Sequence, residues 1–184
     1  MLKQISLLIL CAVAIVLFAT PVHACTSAVV SGKVTLDGRP LLWKNRDTDF
    51  MRNHVDYVKG ERYDFIAVVN SANAYLKEAW MGTNSAGFAL MNTQSYNLVD
   101  VKGDEERGAA NGRVIYRALE VCATVEDFCH FLDTISKPSD IEANFGVIDA
   151  QGGAAMFEVD YYKYVMYDAN NPKDAPYGYI ARTN

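Results

Sequence analysis

Nothing in this sequence gathers positive charge. The 17 Lys and Arg are scattered among 22 Asp and Glu, giving a net charge of −5. A nucleic-acid backbone therefore finds no basic face to neutralise, and a nucleic-acid partner is not expected. Metal-ligand patterns are missing too. The three histidines and four cysteines form no CxxC or HExxH, and His54 and His130 have no ligand spacing around them. No metal or other cofactor is expected. There is no internal repeat and no low-complexity tract. With 51% of the residues apolar, a disordered chain is excluded. Beyond residue 24 no apolar run is long enough to span a bilayer, so no stable membrane span is expected after processing.

What is present is concentrated at the start. Of the first 24 residues, 18 are apolar. Lys3 supplies a short positive region, Ile5 to Ala19 is an apolar run with Ser6 its one polar residue, and Pro21 breaks it. Val22-His23-Ala24 then offers a branched residue at −3 and Ala at −1, which suits a signal peptidase. Residues 1–24 are expected to be a cleaved signal peptide, with export to the periplasm or the extracellular space. The rest, residues 25–184, has the size of one domain, and homo-oligomerisation is left open. Cleavage after Ala24 makes Cys25 the first residue. A competing reading is a lipoprotein signal, with Val22, Ala24 and Cys25 as the lipobox and bulky His23 as its poorest position. The two exclude each other, because lipidation consumes both the thiol and the amine.

Cysteine counting sharpens this. Cys11 departs with the signal, leaving Cys25, Cys122 and Cys129, an odd number for an oxidising compartment. Cys122 and Cys129 can bridge across a helix–turn–helix or serve as small buried apolar residues. Both remain open.

Along the chain, Thr26 to Ser31 reads as a strand. Asp37-Gly38 turns it, and Pro40 to Lys44 returns, bringing the polar stretch Asn45 to Asp49 back towards Cys25. Phe65 to Asn70 is a strand. Trp80 to Thr83 and Phe88 to Thr93 form a hairpin about Asn84-Ser85-Ala86-Gly87. Asp100 to Gly112 reads as loop. Arg113 to Cys122 carries a helical apolar stripe. Thr124, with Asp127 three residues on, caps a second helix whose buried face is Val125, Phe128, Cys129 and Leu132. Strands resume over 144–149, 155–167 and 177–183. Strands, two helices, then strands imply an α+β layered architecture.

An N-terminal Cys carries a thiol of pKa about 8.5 and an amine of about 7.7–8.0 on one residue. The amine can take the thiol proton itself, so no histidine base is needed. Arg46 could favour the thiolate and Asp49 could orient the amine, although such residues in a polar loop are often only a solvated turn.

The order of Cys25-Thr26, Asp37-Gly38, Arg46-Asp47-Thr48-Asp49, Asn84-Ser85-Ala86-Gly87-Phe88 and Ala181-Arg182-Thr183-Asn184 resembles the N-terminal nucleophile hydrolases of the choloylglycine hydrolase and penicillin V acylase group. Acyl-CoA:6-aminopenicillanic acid acyltransferase-like proteins are a close second. The resemblance implies an αββα sandwich, of which this sequence would be the N-terminal half, since members are longer. It implies hydrolysis of linear amide C–N bonds through a thioester on Cys25, with Arg46 beside the sulfur and Asp49 on the amine. Asn92 and Asn184 would be oxyanion donors or amine-positioning groups. The implied partner is a small N-acyl amide: a bile-salt conjugate, a penicillin V-type amide or an N-acyl homoserine lactone. Asn84 competes with Asn92 but suits plain turn chemistry, and Asp47 competes with Asp49. Tyr57, Tyr63, Phe65 and Tyr75 would line an acyl pocket or pack in the core. Acyl transfer on the same fold, and a lipid-anchored non-catalytic envelope protein, are the alternatives.

Overall fold

The computed structural model describes residues 25–96, 98 and 108–184. The signal segment with Cys11, and most of the stretch 100–112 read as loop, lie outside the described residues. Ten strands and two α-helices are described: β1 (Thr26–Val30), β2 (Leu41–Asn45), β3 (Asn53–Val58), β4 (Phe65–Asn70), β5 (Met81–Asn84), β6 (Ala89–Gln94), α1 (Asn111–Val121), α2 (Val125–Thr134), β7 (Ala143–Ile148), β8 (Ala154–Val159), β9 (Tyr164–Asp168) and β10 (Tyr179–Thr183).

They build two antiparallel sheets. One has seven strands in chain order, β3 to β9, and the other runs β10-β1-β2. The helices cover one face of the large sheet. Phe128 sits at the centre of that layer, edge-on to Phe145 and Phe157, in a core with Leu90, Ile115, Leu119 and Val147. The small sheet covers the other face, where Val29 and Ile180 meet Met91 and Met156. β7 and β8 lie between both layers, so ANFGVI and AAMFEV are almost wholly buried and lack the alternation of a half-exposed strand. The small sheet's outer face exposes Leu41, Trp43 and Tyr179.

Local chemistry sets the boundaries. Thr124 and Asp127 form the expected capping box: Asp127 N–H donates to Thr124 Oγ1 at 3.0 Å and Thr124 N–H to Asp127 Oδ2 at 3.1 Å, an arrangement that contributes about 1 kcal/mol. On that helix Phe128 and Leu132 are buried, whereas Val125 and Cys129 are only half-buried. Gly38 takes φ 77° in the turn after β1. The first helix starts two residues before the predicted Arg113, because the Asn111 amide is bonded on three sides. It donates to Gln94 Oε1 and Glu142 O and accepts from Glu142 N–H. The predicted continuous strand over 155–167 is broken, since Asp160 Oδ1 accepts from Tyr162 and Lys163 N–H and makes a turn. β3 was not predicted. Cys122 and Cys129 are both free thiols. Burial pushes Cys122 up to about 12.

Candidate active site

The site forms where the two sheets meet at the start of β1. In the register of the small sheet, Thr26 lies opposite Asn45 on β2 and Thr183 on β10. Cys25, one residue earlier, therefore falls between the ends of both neighbours. Its carbonyl accepts from Asn184 N–H at 3.2 Å. Its Sγ lies 3.4 Å from both the backbone N and the backbone O of Asp47. Cys25 is 8% exposed and opens onto a cleft of about 500 Å³.

The structure brings four of the five expected residues together around the cleft: Cys25, Arg46, Asn92 and Asn184. Asp49 differs. It is exposed and not among the lining residues, whereas Asp47 is. The cause is the register. β2 ends at Asn45, and the loop beyond it bends over Cys25 at Asp47; Thr48 and Phe50 line the cleft while Asp49 between them is exposed. Asn84 holds its turn, as expected: its Oδ1 accepts from Ala86 and Phe88 N–H, while Nδ2 donates to Leu119 and Cys122 carbonyls.

The aromatic expectations divide: Phe65 takes the core reading, and the acyl-pocket reading is met by none of the four. Tyr57 and Tyr75 are exposed and Phe65 is in the core. None of these, nor Tyr63, lines the cleft, and the aromatic lining is Phe50, Trp80 and Tyr96. Phe65 and Tyr57 alternate on strands of the large sheet away from β1, whereas Trp80 immediately precedes β5 and reaches across to β2.

Arg46 is half-buried, and burial draws its guanidinium below the ordinary arginine value while Cys25 nearby opposes this. It donates to the Asn53 amide oxygen and, at 2.8 Å, to Asn70 Oδ1. It also stacks 5.1 Å from the Trp80 ring centroid. A second cation went unpredicted. Lys44 points inward from β2, and its Nζ donates to Trp80 O at 2.9 Å and Asn92 Oδ1 at 3.1 Å. Burial pulls its ammonium down to about 7, with Cys25 raising it and Arg46 lowering it further. The signal for it was alternation. In LLWKN, Lys44 shares its face with Leu42, the half-buried face of β2. Trp80 Nε1 and Asn184 Oδ1, on two lining residues, are buried without a hydrogen-bond partner among the described residues.

The acyl-coenzyme A:6-aminopenicillanic acid acyl-transferase family model matches residues 35–184. The chain belongs to that family. Lys44, Arg46, Asp47, Asn92 and Asn184 fall inside the match, and Cys25 lies ahead of it. Among solved structures, the fold is similar to a mutant of conjugated bile acid hydrolase from Clostridium perfringens, with a TM-score of 0.55 at 15% identity, covering 78% of this chain and 50% of that one. Penicillin V acylase from Agrobacterium tumefaciens also matches, with a TM-score of 0.40 at 18% identity, covering 86% and 44%. No curated protein matches significantly. This acyl-transferase family member therefore has the α+β fold of the N-terminal nucleophile hydrolases and spans about half the length of the solved structures it matches.

Proposed function

We propose that the protein is an exported enzyme that cleaves the C–N bond of a linear, non-peptide N-acyl amide through a thioester on Cys25. The observation that carries this is the position of Cys25. A buried sulfur opens onto a cleft holding two cations and two asparagine amides, at the residue that removal of 1–24 would make N-terminal.

The chemistry runs as follows. Once Ala24 is removed, the Cys25 α-amine takes the thiol proton and the thiolate attacks the acyl carbon. Asn92 donates to the oxyanion that forms. The ammonium returns its proton to the leaving nitrogen as the C–N bond breaks, and a water activated by the same amine hydrolyses the thioester. Asn184 Oδ1, which lacks a partner among the described residues, accepts from the amine. The carboxylate that holds it comes from the loop after β2, and Asp47, which lines the cleft, supplies it in this reading. Arg46 favours the thiolate from its place beside Trp80. No cofactor enters this scheme.

The sulfur's burial supports a free thiol over a lipid anchor, because a thioether-linked diacylglyceryl group needs an open path to a bilayer. Acyl transfer to an amine is the second reading, and the description of the family favours it. Three probes cover the substrate classes: a bile-salt conjugate, a phenoxyacetyl amide and an N-acyl homoserine lactone. Intact mass should give a chain beginning at Cys25 with a free amine, and an acyl adduct on trapping with one probe. Cys25→Ser should lose that thioester and retain its fold. Unchanged turnover in this variant, or a lipid mass on Cys25, would overturn the reading. Product analysis with a competing amine separates hydrolysis from transfer.

A further inference from the structure

We propose that Lys44 is a positioning residue for this site, acting on Cys25 by charge and on Asn92 by fixing which way its amide faces. This rests on the reading of Cys25 as the nucleophile. The amide argument is one of hydrogen-bond inventory. An ammonium has three donors and no acceptor. The Asn92 atom 3.1 Å from Lys44 Nζ must therefore be oxygen, as it is. With Oδ1 held there, the NH₂ is turned the other way. No described residue accepts from Asn92 Nδ2, and Asn92 lines the cleft. Lys44 thus converts an ambiguous amide into an oriented donor, directed where an oxyanion would form. A second proton of Nζ is taken by Trp80 O at 2.9 Å. The third is left for the cleft, and Lys44 and Cys25 interact electrostatically across it.

The charge argument follows from burial. In a partly desolvated cleft, a cation and a thiolate stabilise each other's charged forms. The groups facing Lys44 are few. Arg46 adjoins it on β2, Asp47 lies in the loop beyond, Cys25 comes from β1 and Tyr96 from the segment after β6. The remaining contributions from β6, the residues before β5 and β10 are neutral: Asn92, Gln94, Trp80 and Asn184. Arg46 commits two of its five donors to Asn53 and Asn70, and Lys44 is the cation that also holds Asn92.

The test uses the intact protein and measures iodoacetamide alkylation of Cys25 against pH, with the labelled peptide identified by mass. Lys44→Met should slow labelling about tenfold below about pH 7, where Lys44 holds its proton, and change it little above that, which moves the alkylation profile up. Lys44→Arg keeps both the charge and the donor-only character, and should restore a midpoint at or below that of the parent. Arg46→Met should shift it less than Lys44→Met does. With an accepted amide substrate, Lys44→Met should lower kcat about 10²-fold with KM little changed. Far-UV circular dichroism confirms folding, and Lys44→Gln serves as a second uncharged variant. An unmoved midpoint in both uncharged variants, or no rescue by Lys44→Arg, overturns the proposal. The alkylation profile requires no substrate. If none of the three amides is cleaved, the functional reading fails while the Lys44 result still stands or falls by itself.

Discussion

Asp47 and Asp49 are two residues apart, yet only Asp47 lines the cleft, with its backbone N and O 3.4 Å from the sulfur. Asp47→Asn should therefore cost far more acylation rate than Asp49→Asn, measured by single-turnover trapping of the acyl-enzyme; the opposite ranking would return the carboxylate role to Asp49. Lys44 carries a prediction about stability. Folding lowers its pKa from 10.5 to about 7. The unfolded chain then holds the extra proton between those values, so stability should rise as pH climbs from about 7 towards 10.5, and the penalty is full below 7. Lys44→Met should raise the denaturant midpoint at neutral and acidic pH, by at most about 5 kcal/mol in stability. The gain should fade in the alkaline range, and a gain independent of pH would contradict the burial argument. A residue that weakens the fold while ordering the site is a familiar trade.

Elements, more than single residues, set the geometry of the cleft. β1 can lie on the large sheet only because Gly146 on β7 has no side chain. A Cβ there would meet Met91 Cε and come within 2.9 Å of Val29 Cγ2 and 3.4 Å of Leu42 Cδ2. Gly146→Val should cost about 1–3 kcal/mol by overpacking, read as a lower denaturant midpoint, and should also slow acylation because β1 carries Cys25. Most of this architecture was legible. β1, β2, β4, the β5–β6 hairpin and both helices announce themselves by alternation, turn residues and a capping box. β3 did not, because NHVDYV is an edge strand with polar residues on both faces and no periodic signal. The site was legible as far as its order of motifs. Lys44 was hidden because a lone lysine in an apolar strand reads as a solvated edge until a second sheet is placed over it. Asp47 and Asp49 were both in view but could not be ranked, because motif spacing does not reveal where a strand ends and the chain bends.

At the scale of the molecule, the layers run helices, large sheet, small sheet, with the outer face of the small sheet exposing Trp43 and Leu41. Among the described residues no helix is long and apolar enough to cross a membrane. The two sheets are held by the apolar seam and by a polar tie at one end, where Arg182 donates to Glu158 Oε1 at 2.7 Å and stacks 5.0 Å from the Tyr167 ring centroid. β10 pairs with β1 across nearly the whole described chain, from Val30 opposite Tyr179 to Thr26 opposite Thr183. The hairpin of β1 and β2 is local and can zip early, but Asn184 arrives beside Cys25 only when the most distant strand has docked, and such long-range pairing is slow. Cys25 is thus among the first described residues to be made, and its cleft is closed late, so thiol reactivity at Cys25 reports that folding is complete.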